Sequence, residues 1–298
     1  MNVISSHPGE ILALLTAVTW AFAVVLFKKS GEAVHPVGLN LFKDLLAVVL
    51  FIPTVWILGQ THFRQVPIEE YLILLLSGAL GIGVADTLFF KSLNVLGAGL
   101  SAIVDCLYSP FIIVLSIVWL DESLALWQIV GAAMIISAVL SITRERNSNG
   151  SDKKVILLGV LWGALAMAAN AIGVVMVKPI LDRSPLLWVT EVRMVGGAVV
   201  LLVILMFHPA RRMILKSIRA PQRWGYTLTG SFIGGYVSVL LWLAGMKYTQ
   251  ASIASALNQT SNIFIFIFAA FLLRERITPL RTAAIVMAVG GALLVTFG

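Results

Sequence analysis

Two stripes of polar side chains lie inside otherwise apolar runs of this chain. Ser101, Asp105, Tyr108 and Ser109 form the first, and Ser255, Asn258, Ser261 and Asn262 the second. Spacings of three and four residues put each set on one face of a helix. A shift of 153 positions carries Asp105 onto Asn258 and Ser109 onto Asn262. An ionisable group within a membrane span costs about 2.5 kcal/mol or more, so Asp105 is expected to face a polar interior. There its carboxylate suits an amine-bearing ligand or a coupling proton. The blander readings place it at the membrane interface or paired with Lys43. For the neighbouring amides, including Gln259, the bland reading is packing contacts worth about 0.6 kcal/mol each.

Other chemistry-bearing residues are scattered through the apolar runs. Asp86 stands alone, with Val239 as its mate, and is a candidate proton relay or gate; a structural ion pair is the alternative. Lys43 and Asp44 are adjacent, so they point about 100° apart on a helix and are expected to seek partners on other segments. Glu191 and Arg193 pose the same problem. A four-way network of these charges around a central cavity is one arrangement. Trp20, Tyr108, Tyr236 and Trp242 offer an aromatic wall or a cation–π contact to an amine. Asn170 registers with Trp20 at a shift of 150. Pro110 lacks an amide hydrogen and is expected to kink its helix beside Tyr108 and Ser109, as a gating helix requires. Glu122 and Glu275 resemble a catalytic pair, but each precedes a span whose N-terminal dipole favours a carboxylate.

Helices must position these groups, and the composition says where. Of 298 residues, 59% are hydrophobic and 12% charged. A soluble domain is closer to half apolar and a quarter charged. The chain is therefore expected to be an all-α integral membrane protein. A span needs about 20 apolar residues. Ten segments fit: residues 10–29, 35–58, 69–91, 97–120, 124–142, 155–180, 185–207, 223–246, 251–273 and 279–297. The polar stretch 143–154 separates a first five-helix repeat, 1–142, from a second, 155–298. With five spans per half, the second copy must enter the membrane from the opposite face, an inverted repeat around a central cavity. Gly230 with Gly234, and their mates Ser77 and Gly81, permit close helix packing inside the bundle. A monomer is thus favoured over a homodimer.

The net charge of +7 does not indicate nucleic acid, because the basic residues sit in loops. Of 21 Lys and Arg, 15 fall in the odd-numbered loops and four in the even ones, the rest being Lys43 and Arg193. That distribution places the basic loops in the cytoplasm and both termini outside. The lone cysteine, Cys106, excludes an intramolecular disulfide. The first apolar run ends in Lys28-Lys29 and reads as a span, not a cleaved signal. Trp56, Trp119, Trp127, Trp188 and Trp224 lie near span ends and read as interface anchors.

Several motifs carry a resemblance. They are Trp20-Ala21-Phe22, residues Val95–Ala102, residues Tyr248–Ala254, Leu120-Asp121-Glu122-Ser123-Leu124 and residues Leu272–Thr278. On these the chain resembles the drug/metabolite transporter superfamily, in its EamA-type branch of bacterial metabolite exporters. The resemblance implies a basic residue in spans two and seven, matched by Lys43 and Arg193, and a proline in span four, matched by Pro110. Ile263 departs from that pattern in span nine. It also implies export of amino acids or related metabolites.

The expected function is a secondary transporter of a small-molecule substrate, working in the inner membrane by alternating access. No Walker-type loop is present, so a proton gradient, exchange or the substrate's own gradient would drive it. No cofactor or metal is expected, and no catalysis. The alternatives are an intramembrane aspartyl protease using Asp86 and Asp105, or a non-transporting receptor. The protease motif Gly-x-Gly-Asp is replaced by Gly81-Ile82-Gly83-Val84-Ala85-Asp86, and HExxH and GxSxG are absent.

Overall fold

The computed structural model describes residues 8–120, 125–143, 153–219, 224–248 and 257–297. Ser255, the Asp121-Glu122-Ser123 turn and residues 144–152 of the linker lie outside this set, as does the side chain of Trp119. All regular structure among the described residues is helical. In order the helices are α1 (Pro8–Ser30), α2 (Pro36–Ile57), α3 (Ile68–Leu96), α4 (Ala98–Asp105), α5 (Tyr108–Leu120) and α6 (Leu126–Thr143). Then follow α7 (Lys153–Leu181), α8 (Leu186–Phe207), α9 (Arg211–Ile218), α10 (Trp224–Ser231, Phe232–Val237 and Ser238–Tyr248), α11 (Ser261–Leu272) and α12 (Pro279–Phe297). Eight helical stretches are long and apolar enough to cross a membrane, and two shorter apolar ones, Leu126–Ile142 and Leu257–Leu272, accompany them. Helices answer the bilayer's demand that backbone polar groups be satisfied within the segment. The chain is a multi-pass membrane protein.

Two departures from α-helical geometry recur in register. A π-helical turn, Ala79–Val84, interrupts α3, and another, Phe232–Val237, interrupts α10. Their starts, 79 and 232, differ by 153, the shift that relates the polar stripes. The expected kink in span four is a break: α4 ends at Asp105 and α5 begins at Tyr108. Pro110 cannot donate to the Cys106 carbonyl, which accepts from Ser109 N at 3.2 Å instead. Span nine also breaks, at Thr260, without a proline. Leu107 and Thr260 again stand 153 apart.

The packing comes in exchanged pairs. α3 lies against α7 as α10 lies against α1, and α5 meets α7 as α11 meets α1. α6 packs on α12, α2 on α8, and α4 on α11. Small residues allow these approaches. Gly230 and Gly234 face Phe27 of α1, an internal contact, and Ser77 Oγ donates to the Gly173 carbonyl of α7 at 2.5 Å. At the crossing of α3 and α8, Gly196 lies on the Leu75 backbone and Gly78 on that of Arg193.

Residues 208–222, expected as a loop between spans seven and eight, hold α9. His35 caps α2, its Nδ1 accepting from Val37 N at 3.3 Å, and His208 Nδ1 accepts from Ala210 N at 3.1 Å. The two rings lie 5.6 Å apart, edge to face. Burial, reinforced by His208 and Lys91, lowers the His35 pKa.

Two expectations follow. Gly196→Val drives a Cβ into the Leu75 backbone and should cost about 1–3 kcal/mol, lowering the melting midpoint in detergent. Gly225→Ala, in open space, should not; equal midpoints for the two variants would refute the close crossing. The lowered native pKa of His35 means that its stabilisation is fully present above the unfolded value of about 6.5 and is lost as pH falls through the native value. Melting midpoints should therefore drop on acidification to about pH 5.5, and His35→Asn should flatten that dependence while keeping a cap.

Candidate functional site

A buried cation sits at the middle of the bundle. Lys43 is 5% exposed and Asp44 only 1%. Lys43 Nζ is ion-paired with Asp86 of α3 and also reaches Asp44 Oδ1 at 3.2 Å. The expectation that adjacent Lys43 and Asp44 could not pair is thus corrected: the four-carbon lysine stem spans the angle between the two positions. The same ammonium lies 5.7 Å from the Phe90 ring centroid.

Each central cation leans on the π-turn of the other half. The Lys43 stem passes Gly235, where a Cβ would come 3.1 Å from its Cγ. A Cβ at Gly81 would come 3.4 Å from Arg193 Nη2 and 3.7 Å from Asn170 Oδ1. A π-turn widens the helix and leaves carbonyls to be met from outside. Asn40 does this in α3, its Nδ2 donating to Ile82 O at 3.0 Å and Gly83 O at 2.9 Å. Asn40 is fully buried and was not singled out from the sequence, because nothing in a lone asparagine announces a π-turn opposite it.

The stripes meet where the break between α4 and α5 faces the start of α11. Gln259 Nε2 donates to Ser109 Oγ at 3.0 Å, and Asn262 Nδ2 donates to Cys106 Sγ at 3.4 Å and to Gln259 Oε1 at 3.3 Å. These amides therefore include true interhelical contacts. Asp105 does not pair with Lys43. Its Oδ1 is buried with no hydrogen-bond partner among the described residues, as are Asn258 Oδ1 and Arg193 Nε. Asp86 lies within electrostatic range of both Asp105 and Arg193, and Tyr108 within range of Arg193. Buried polar atoms are nearly always partnered, so unmet capacity here marks groups available to a ligand or water.

Other expected members are elsewhere. Glu191 does not join the central network: its Oε1 lies 2.8 Å from His62 Nδ1, on the α2–α3 connection. Trp188 is fully buried and donates through Nε1 to the His62 carbonyl at 3.1 Å, so it is no interface anchor. Arg64 stacks over its ring at 5.3 Å. The aromatic wall divides. Trp20 stacks on Phe89 at 6.5 Å, in the cluster that also holds Tyr108. Tyr236 bonds Thr54 Oγ1 at 2.7 Å and packs edge-on to Phe51, in a separate cluster with Trp242.

Glu275 does not serve the span that follows it. Its carboxylate accepts from Ala98 N at 2.8 Å and Gly99 N at 2.9 Å, capping α4. That cap joins the two halves at one end of the bundle. Beside it Lys28 Nζ donates to the Asn94 carbonyl at 2.8 Å.

Comparison with known proteins agrees with this architecture. The profile of the EamA-like transporter family matches residues 7–144 and again 157–297. An uncharacterized transporter of Archaeoglobus fulgidus is 26% identical over 272 residues, covering 90% of this chain and 91% of the relative. One from Methanothermobacter thermautotrophicus is 24% identical over 283 residues, covering 90% and 80%. A solved crystal structure superposes with a TM-score of 0.65 at 18% identity, over 97% of this chain and 96% of its own, a likeness of fold.

Removing the central cation should be expensive. Lys43→Met leaves the buried Asp44 and the half-buried Asp86 without their counter-charge and should destabilise by about 3–5 kcal/mol. Adding Asp44→Asn should recover much of that loss. Chemical denaturation in detergent tests the pair; a single variant as stable as the parent would show that the ammonium is not neutralised as described.

Proposed function

The chain belongs to the EamA-like transporter family, and from that premise we propose that it is a secondary transporter exporting amino acids or related small metabolites. Ten spans form two inverted five-helix repeats, 1–142 and 155–298, that rock about a shared centre. The in-register π-turns, the matching breaks at Leu107 and Thr260, and the exchanged helix pairs support that reading. The basic loops face the cytoplasm of the inner membrane and both termini lie outside. The protein works as a monomer: its small-residue pairs are used within the bundle.

One observation carries the substrate reading: groups of opposite charge, each with a buried atom left unpartnered, stand near a lysine that already has its own carboxylates. Lys43 is already matched by Asp44 and Asp86. Asp105 and Arg193 each keep a buried atom without a partner. A zwitterion meets both, its ammonium at Asp105 and its carboxylate at the Arg193 guanidinium. Asn258, Ser109 and Tyr108 supply neutral contacts. Asp86, held by Lys43, is the coupling site: protonating it would remove one of the lysine's two carboxylate partners and leave Asp44 as the other. The protease alternative would need Asp86 free to share a proton with Asp105, whereas it is tied to Lys43.

The test is uptake of labelled amino acids into proteoliposomes, with and without a pH gradient. A zwitterionic substrate should accumulate. Asp105→Asn and Arg193→Gln should each reduce transport at least about tenfold, as expected for loss of a charge-assisted contact worth about 1.5–3 kcal/mol. Asp86→Asn should remove its response to the gradient. Folded protein that moves no amino acid or related metabolite would refute the proposal.

A further inference from the structure

Between His208 and Arg219 the chain has four basic residues and no acidic one. Arg211, Arg212, Lys216 and Arg219 are all exposed. Between them Met213 is 56% and Leu215 48% exposed, although both are large and apolar. Ile214 points inward, fully buried among Val37, Leu41, Leu201 and Leu205, and the half-buried Ile218 packs inward one turn later. An eight-residue helix rises about 12 Å, far too short to cross a bilayer. It joins α8 to α10, both apolar enough to span, so it must run where those spans leave the hydrocarbon. Cations there meet headgroup phosphates, and apolar side chains between them reach the upper acyl region.

We propose that α9 is a docking seat for anionic phospholipid. Its charge complements phosphatidylglycerol-type headgroups, and Met213 and Leu215 favour a lipid over a soluble acidic partner. The seat is fastened to α2. Ser217 Oγ accepts from His35 N at 3.1 Å. A Cβ at Gly38 would come 2.9 Å from Ile218 Cγ1 and 3.2 Å from Ile214 Cγ2. Five residues beyond Gly38 stands Lys43. Lipid held by α9 therefore bears on the helix that carries the central cation.

Native mass spectrometry of the full-length protein in detergent, titrated with phosphatidylglycerol and separately with phosphatidylcholine, tests the seat. The parent should retain phosphatidylglycerol in preference. Arg212→Gln/Lys216→Gln/Arg219→Gln should weaken that retention by about tenfold or more and leave phosphatidylcholine unchanged. All three side chains are exposed, so the melting midpoint should hold. Arg211 is left in place because its guanidinium also donates to the Met206 carbonyl. Lys153→Gln/Lys154→Gln, on another basic segment, should behave as the parent. Equal retention of the two lipids, full retention by the triple variant, loss in the Lys153/Lys154 control, or displacement of phosphatidylglycerol by soluble polyglutamate would each overturn the proposal.

Discussion

A lysine ammonium buried at the middle of a helical bundle is the constraint around which the rest is arranged. Lys43 is almost wholly withdrawn from water, and hydrocarbon offers no counter-charge. Asp44 and Asp86 supply it from two helices. That requirement fixes the face of α2 turned toward α3. Asn40, one turn earlier on α2, then falls opposite the π-turn whose carbonyls it satisfies. Gly235, in the second π-turn, makes room for the lysine stem. Charge neutralisation, helix register and the two helix irregularities are thus one arrangement.

The two halves resolve the same geometry differently. Both have a π-turn at the same register, and both break the helix that carries the polar stripe. The first half breaks at Cys106-Leu107, with Pro110 following; the second breaks at Thr260 with Ile263 in the proline's place. Proline is therefore not required for the break, and it does not by itself cause one: Pro53 and Pro179 lie inside the unbroken α2 and α7. At that break the Thr260 hydroxyl donates to the Leu257 carbonyl.

How much of this was legible follows from where each signal resides. Apolar runs and small-residue spacings state the helices directly, because the bilayer leaves few other solutions. The stripes are legible by their period, and Ser109 at the start of α5 does meet Gln259 just before α11. Pairing among charges was not. The Lys43–Asp44 contact depends on a flexible stem, and the Glu191–His62 contact on the path of a polar connection. Trp188 looked like an anchor by position, but that connection covers it. α9 is hard to read in the sequence because eight residues give barely two periods, and three cations obscure the apolar ones.

Glu275 shows what the repeat does to a local motif. Read alone, its turn belongs to the helix that follows. In the fold its carboxylate leaves that hairpin and caps α4, on the other half of the chain. Two backbone amides at the start of a helix present a partial positive charge, and a carboxylate bridging both is held by charge as well as by hydrogen bonds. The helix it caps carries Asp105, seven residues along from Ala98. A contact between halves at one end of the bundle is thereby linked, through about two turns of helix, to the carboxylate left without a partner at its centre.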